Sequence, residues 1–195
     1  MKKWIAIGIV LLGILLMYSY FKNLYNQMVN KQEETTKQWA NVENVYQRRM
    51  DLIPNLVSTV KGYANFEKET LTQVIEARAK ATSVNIKADN LSPEAMAQFQ
   101  QAQDGLGSAL ARLMVVVEKY PELKANQSFL ELQAQLEGTE NRIATERRKF
   151  NEVIQDYNMY IRRFPNNIFA GMFGFEKKGY FEATAGAEKA PEVKF

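Results

Sequence analysis

The sequence predicts an all-α protein: one N-terminal transmembrane helix, then an antiparallel bundle of long helices with coiled-coil-type packing. Three observations carry this expectation. The run from Trp4 to Phe21 has no charged residue and is mostly apolar. Beyond it, apolar residues recur at alternating steps of three and four over long stretches, the period of one helix face. No segment keeps the period-two alternation between turn signals that strands would need.

The apolar run comes first in the chain. Its eighteen residues, at about 1.5 Å each, reach roughly 27 Å, close to the hydrocarbon core of about 30 Å. Leu11 and Leu15 lie well inside it, Trp4 at one end and Tyr18, Tyr20 and Phe21 at the other, as interfacial aromatic belts do. A cleaved signal peptide is the rival reading. It would need small residues at a cleavage site, where Tyr18-Ser19-Tyr20-Phe21 is bulky. A lipoprotein signal would need a cysteine, and there is none. Gly8 and Gly13 are too far apart for a GxxxG dimer face. Lys2, Lys3 and the α-amine precede the run, and Lys22, Lys31 and Lys37 follow it. Positive-inside counting leans by a thin margin to a domain outside the cytoplasm. The expected organisation is an anchor over 1–24, a helical bundle over 25–181 and a mobile Ala-, Glu- and Lys-rich tail over 182–195.

Three apolar series build the bundle. The first is Trp39, Val42, Tyr46, Arg49, Ile53, Leu56, Val60, Tyr63. The second is Met96, Phe99, Gln103, Leu106, Leu110, Leu113, Val117, Tyr120. The third is Phe129, Leu132, Leu136, Glu140, Ile143, Arg147, Phe150, Ile154, Tyr157, Ile161, Phe164. A seven-residue repeat held over this length packs helices left-handedly at shallow angles.

Breakers set the boundaries. Ser92-Pro93-Glu94 starts a helix, with Ser as cap and Pro in the first turn. Tyr120-Pro121 ends it, because the residue before a proline is pushed out of the α region. Asn126 or Ser128 caps the next helix, Ser128 having capping-box spacing to Glu131, and that helix runs to Phe164-Pro165. Thr82 to Leu91 connects the first helical region to the Ser92 helix. From Lys22 to about Ala81 we expect one long helix kinked at Pro54, since the apolar register crosses Pro54 unshifted. Gly62 to Asn65 is a second weak point, where Asn65 could cap a fresh helix.

Composition limits the chemistry. The chain has 195 residues, 46% hydrophobic and 24% charged, which is ordinary for a globular protein. Its formal charge is +3, so no global field favours nucleic acid. Cysteine and histidine are both absent, which removes disulfides, thiol catalysis, thiolate metal sites and imidazole acid–base chemistry together. No phosphate-binding loop, dinucleotide fingerprint, nucleophile elbow or EF-hand spacing occurs. No cofactor or metal is expected.

Arg49, Gln103, Glu140 and Arg147 interrupt the apolar seams. A buried charge is costly unless paired. The simplest expectation is that Glu140 meets Arg49 or Arg147 across the bundle and fixes helix register. A catalytic site would need more titratable groups with split pKa values than one Glu among arginines provides. Arg147-Arg148-Lys149 and Arg162-Arg163 have acidic neighbours in Glu146, Glu152 and Asp156 and read as solvated faces.

After Pro165 the composition turns aromatic, with Phe169, Met172, Phe173 and Phe175 beside Lys177 and Lys178. These side chains either dock on the bundle and cover its end, the favoured reading, or face a membrane surface or a neighbouring subunit.

Several segments, read together, resemble the LemA family of bacterial membrane proteins. They are Gln47-Arg48-Arg49-Met50-Asp51-Leu52-Ile53-Pro54-Asn55-Leu56-Val57, Val60-Lys61-Gly62-Tyr63-Ala64 and Glu118-Lys119-Tyr120-Pro121-Glu122-Leu123-Lys124-Ala125-Asn126. Thr139-Glu140-Asn141-Arg142-Ile143-Ala144, Arg147-Arg148 and Ile161-Arg162-Arg163-Phe164-Pro165 complete the set. The resemblance covers about Tyr25 to Phe181. It implies a single-pass anchor in a bacterial inner membrane and a helical bundle, and no defined biochemical activity. The expected function is a non-enzymatic, membrane-anchored scaffold that self-associates or docks other envelope proteins. Its expected partners are the bilayer, further copies and membrane proteins. A lipid-binding remodelling protein and a carboxylate- and arginine-dependent enzyme are the alternatives.

Overall fold

The computed structural model describes residues 2–62 and 67–182. Six helices are present among them, with no strand: α1 (Lys2–Lys61), α2 (Lys68–Ser83), α3 (Pro93–Val117), α4 (Pro121–Lys124), α5 (Gln127–Arg162) and α6 (Asn166–Phe173). α1 packs mainly on α5 and α2 on α3, while α6 folds back on α1 and α5.

α1 is one unbroken helix of 60 residues, about 90 Å long. Residues 3–20 are exposed on every side, and the buried seam opens at Leu24 and Met28, continues through Thr35, and then takes up Trp39, Val42, Tyr46, Arg49, Ile53, Leu56 and Val60. The helix passes through Pro54 without ending. Proline lacks the N–H that would bond the Met50 carbonyl. The Arg78 Nε of α2 donates to that carbonyl instead, at 3.1 Å. A tertiary donor thus replaces the missing helical one, and the Pro54 ring sits on the exposed face.

The expected single helix from Lys22 to Ala81 is corrected here: α1 stops at Lys61, and α2 turns back alongside it, so Arg78 lies opposite Met50. Leu71, Val74 and Ala81 then join Met50, Leu56 and Val60 in one buried cluster with Leu106, Leu113 and Phe129. Folding back buries this apolar face of α2, which a straight continuation would leave in water. Tyr63 and Asn65 lie outside the described residues.

The later boundaries follow their caps. Ser92 Oγ accepts from the Ala95 N–H at 3.3 Å and opens α3. Asn126, not Ser128, caps α5, accepting from Phe129 N–H at 3.0 Å. Such caps contribute about 1 kcal/mol each. α5 ends at Arg162, short of the expected Phe164, and α6 follows in a segment expected to hold no long helix. Gly174, at φ 75°, closes α6 in the left-handed region that glycine enters without strain.

Candidate functional site

Three places gather the residues singled out by sequence. The first is the polar interruption of the core. Arg49 is 3% exposed. Its Nη1 donates to Glu140 Oε1 at 3.0 Å. Its Nη2 donates to the Gln103 side-chain oxygen, and to the Gln103 carbonyl at 3.4 Å. The guanidinium also stacks over the Tyr46 ring, 5.1 Å from its centroid, and the Arg49 Nε is buried with no hydrogen-bond partner among the described residues. Glu140, with a side chain 48% exposed, sits at the rim rather than in the core. The buried polar residue of that turn is Thr139, which bonds back to the Gln135 carbonyl.

Arg147 does not enter this group. It lies over the Phe181 ring at 4.8 Å and donates to the Glu182 carbonyl at 2.9 Å. Two turns of α5 separate it from Glu140, and of the two arginines it is Arg49 that pairs with Glu140. Burial raises the Tyr46 phenol above its ordinary range, although Arg147 and Arg49 oppose the shift.

The second place is the chain after α6, which docks in an extended conformation along α3 and α5. Tyr157 Oη donates to the Glu176 carbonyl at 3.0 Å. Asn158 accepts from Lys178 N–H and donates to Lys178 C=O, and Asn151 and Gln100 serve Phe181 and Glu182 in related ways. Side-chain amides therefore satisfy the tail backbone as a neighbouring strand would. Gly179 N–H donates to the Leu91 carbonyl at 2.8 Å, with its Cα so close to Pro93 that an added Cβ would fall 2.7 Å from the Pro93 Cα.

Phe181 is delivered into a ring cluster with Trp39, Tyr46, Phe99 and Phe150. The Trp39 indole N–H donates to the Ile86 carbonyl at 3.3 Å. Such ring pairs add about 0.5–1.5 kcal/mol each beyond burial. Asn151 and Asn158 were not singled out by sequence, because amides that bind an extended backbone leave no periodic signal. Residues 183–195, most of the expected tail, lie outside the described residues.

The tail residues thus divide. Lys178 is buried, its ammonium 5.6 Å from the Tyr157 ring, and burial holds its pKa below the ordinary lysine range with Asp89 opposing. Phe175 and Phe169 are half-buried, whereas Lys177 is exposed.

The third place is the end of the bundle where α1 enters it. Phe21 packs on Phe169 at 4.8 Å, and Tyr25 on Phe173 at 5.1 Å and Phe175 at 5.8 Å. Leu24, Met28, Tyr157, Ile161 and Ala170 form the core beneath. Met172 is 72% exposed and Phe173 is also exposed. On α1 itself Trp4, Leu11, Leu15 and Tyr18 are all exposed, and α1 is the one described helix long and apolar enough to cross a membrane.

Fold and site together define a membrane-associated helical protein whose first helix carries a candidate span and whose remainder is a bundle. The chain belongs to the LemA family, whose model matches residues 38–195. It is similar to two proteins of Paramagnetospirillum magneticum, magnetosome proteins MamQ 1 and MamQ 2. Each is 29% identical over 179 residues, which cover 81% of this chain and 64% of the relative. It is also similar to Protein LemA of Metamycoplasma hominis, 25% identical over 183 residues, covering 94% of this chain and 80% of that protein. The chain therefore spans less than two thirds of the MamQ proteins' length.

Proposed function

We propose that this protein is a non-enzymatic scaffold, held in a membrane by Trp4 to Phe21, whose bundle self-associates or docks other membrane proteins. The observation that carries this reading is the continuity of α1. The exposed apolar stretch and the buried seam from Leu24 to Val60 belong to one helix, so the bundle stands on its anchor as a stiff post. Tethering raises the effective concentration of such posts and lets weak lateral contacts count.

The polar group supports a structural rather than a chemical role. The Arg49 guanidinium is held by Gln103 and Glu140, and the carboxylate it pairs with is open to solvent. Relatives named as magnetosome proteins fit a part in a cellular structure. The division into anchor, bundle and tail, and a bundle outside the cytoplasm of a bacterial cell, belong to the same proposal.

The test is crosslinking of the full chain in its own membranes after an alkaline wash. The proposal expects the chain to stay in the membrane fraction and to crosslink to itself or to another membrane protein. Release by the wash, or a chain that crosslinks to nothing, would contradict it.

A further inference from the structure

We propose that the turn between α5 and α6, with the exposed face of α6, is a second membrane contact that seats in the anionic headgroup region beside α1. This rests on the reading that Trp4 to Phe21 crosses the bilayer. The ring contacts give the level. Phe21, the last residue of the apolar run, touches Phe169, and one turn further on Tyr25 touches Phe173. Equal four-residue steps in the same direction make α6 run alongside α1. The start of α6 and the turn before it therefore lie on the bilayer side. Eighteen residues make a span of roughly 27 Å, slightly less than a typical core, which draws this end of the bundle toward the lipid.

What the turn presents fits a headgroup layer. Phe164 is 82% exposed at its tip. Ile168 and Met172 on α6, also exposed, are four residues apart, so these two line one stripe of the helix. Arg162 and Arg163 immediately precede Phe164 and are exposed. Neither Lys2 to Gln32 nor Tyr157 to Phe175 contains an acidic residue. This end therefore carries Lys22, Lys31, Arg162 and Arg163 with no carboxylate from either stretch. An aromatic tip beside two arginines suits the boundary of an anionic bilayer. Two copies meeting through the same turn would instead bring their arginines together. The consequence is orientation: a second contact resists tilting of the post about its single span.

Because the chain has no cysteine, single reporters can be introduced cleanly. Full-length protein carrying Leu11→Cys, Phe164→Cys, Ile168→Cys or Gln127→Cys is labelled with a fluorophore. It is then reconstituted in phosphatidylcholine vesicles with or without phosphatidylglycerol. Quenching by doxyl-labelled lipid and by aqueous iodide is compared, with far-ultraviolet circular dichroism reporting the fold. Lipid quenching at Leu11, Phe164 and Ile168 is expected, with iodide quenching at Gln127. Arg162→Gln with Arg163→Gln should weaken lipid quenching at Phe164 about twofold in the anionic vesicles. Leu11 quenched by lipid while Phe164 is open to iodide would overturn the seat and leave the span intact. Phe164 shielded from both quenchers would overturn it in favour of a protein cover. Leu11 open to iodide would overturn the span, and the seat with it.

Discussion

Arg78 on α2 donates from its Nε to the carbonyl of Met50 on α1, at 3.1 Å. That carbonyl is the acceptor which Pro54 leaves without a helical donor. One contact therefore both keeps α1 continuous and ties α2 to it. Arg78→Ala should cost about 1–2 kcal/mol in urea unfolding, because it leaves a backbone acceptor without its partner. In a Pro54→Ala background the helical N–H returns, and the same substitution should cost much less. Equal costs in both backgrounds would show that the contact does not substitute for the helix bond.

The polar seam predicts an asymmetry. Arg49→Ala removes a buried cation and leaves the Gln103 side chain unpaired, at a cost of about 3 kcal/mol. Glu140→Ala leaves Arg49 held by Gln103, and the exposed rim lets water approach, so about 1 kcal/mol is expected. Thermal unfolding of the two variants in one detergent distinguishes them. Arg147→Ala should instead loosen the tail, as its partners are Phe181 and Glu182.

Tail docking depends on close approach at Gly179. Gly179→Ala would set a Cβ 2.7 Å from the Pro93 Cα, backbone that cannot step aside. The expected result is release of Phe181 from beside Trp39, read as a shift in tryptophan emission, with faster tryptic cleavage at Lys177 and Lys178. An unchanged cleavage rate would contradict the docking geometry.

Alkaline titration offers a test through Tyr157. Burial, with Glu176 adding to it, raises this phenol from 10.0 to about 12. A raised folded-state value means that stability is fully present below about pH 10 and is lost as pH climbs toward about 12. The loss should be on the order of 2 kcal/mol. Tyr157→Phe should flatten that slope and cost about 1 kcal/mol at neutral pH by deleting the bond to the Glu176 carbonyl. Denaturant midpoints of both proteins across this range decide it.

Much of the fold was legible from periodicity. The described apolar members of the three series lie mostly in the core, Phe164 being the plain exception. Arg49 and Gln103 stood out because a polar residue at apolar spacing needs a partner. Glu140 and Arg147 looked alike for the same reason, since spacing alone does not tell a rim from a core position. Pro54 looked like the weak point of α1 because its repair comes from Arg78, a residue distant in sequence. The path of the tail was illegible, resting on the amides of Asn151 and Asn158 and on Gly179, none of which sets a period.

The central claim is self-association or docking by a membrane-held bundle. The mass of the full chain, extracted in mild detergent and measured by light scattering with the detergent subtracted, tests it most directly. The account predicts a discrete particle heavier than one chain of 22.4 kDa, either a multiple of it or a complex with a co-purifying membrane protein. A lone 22.4 kDa chain, unchanged across concentrations and detergents, would contradict the account.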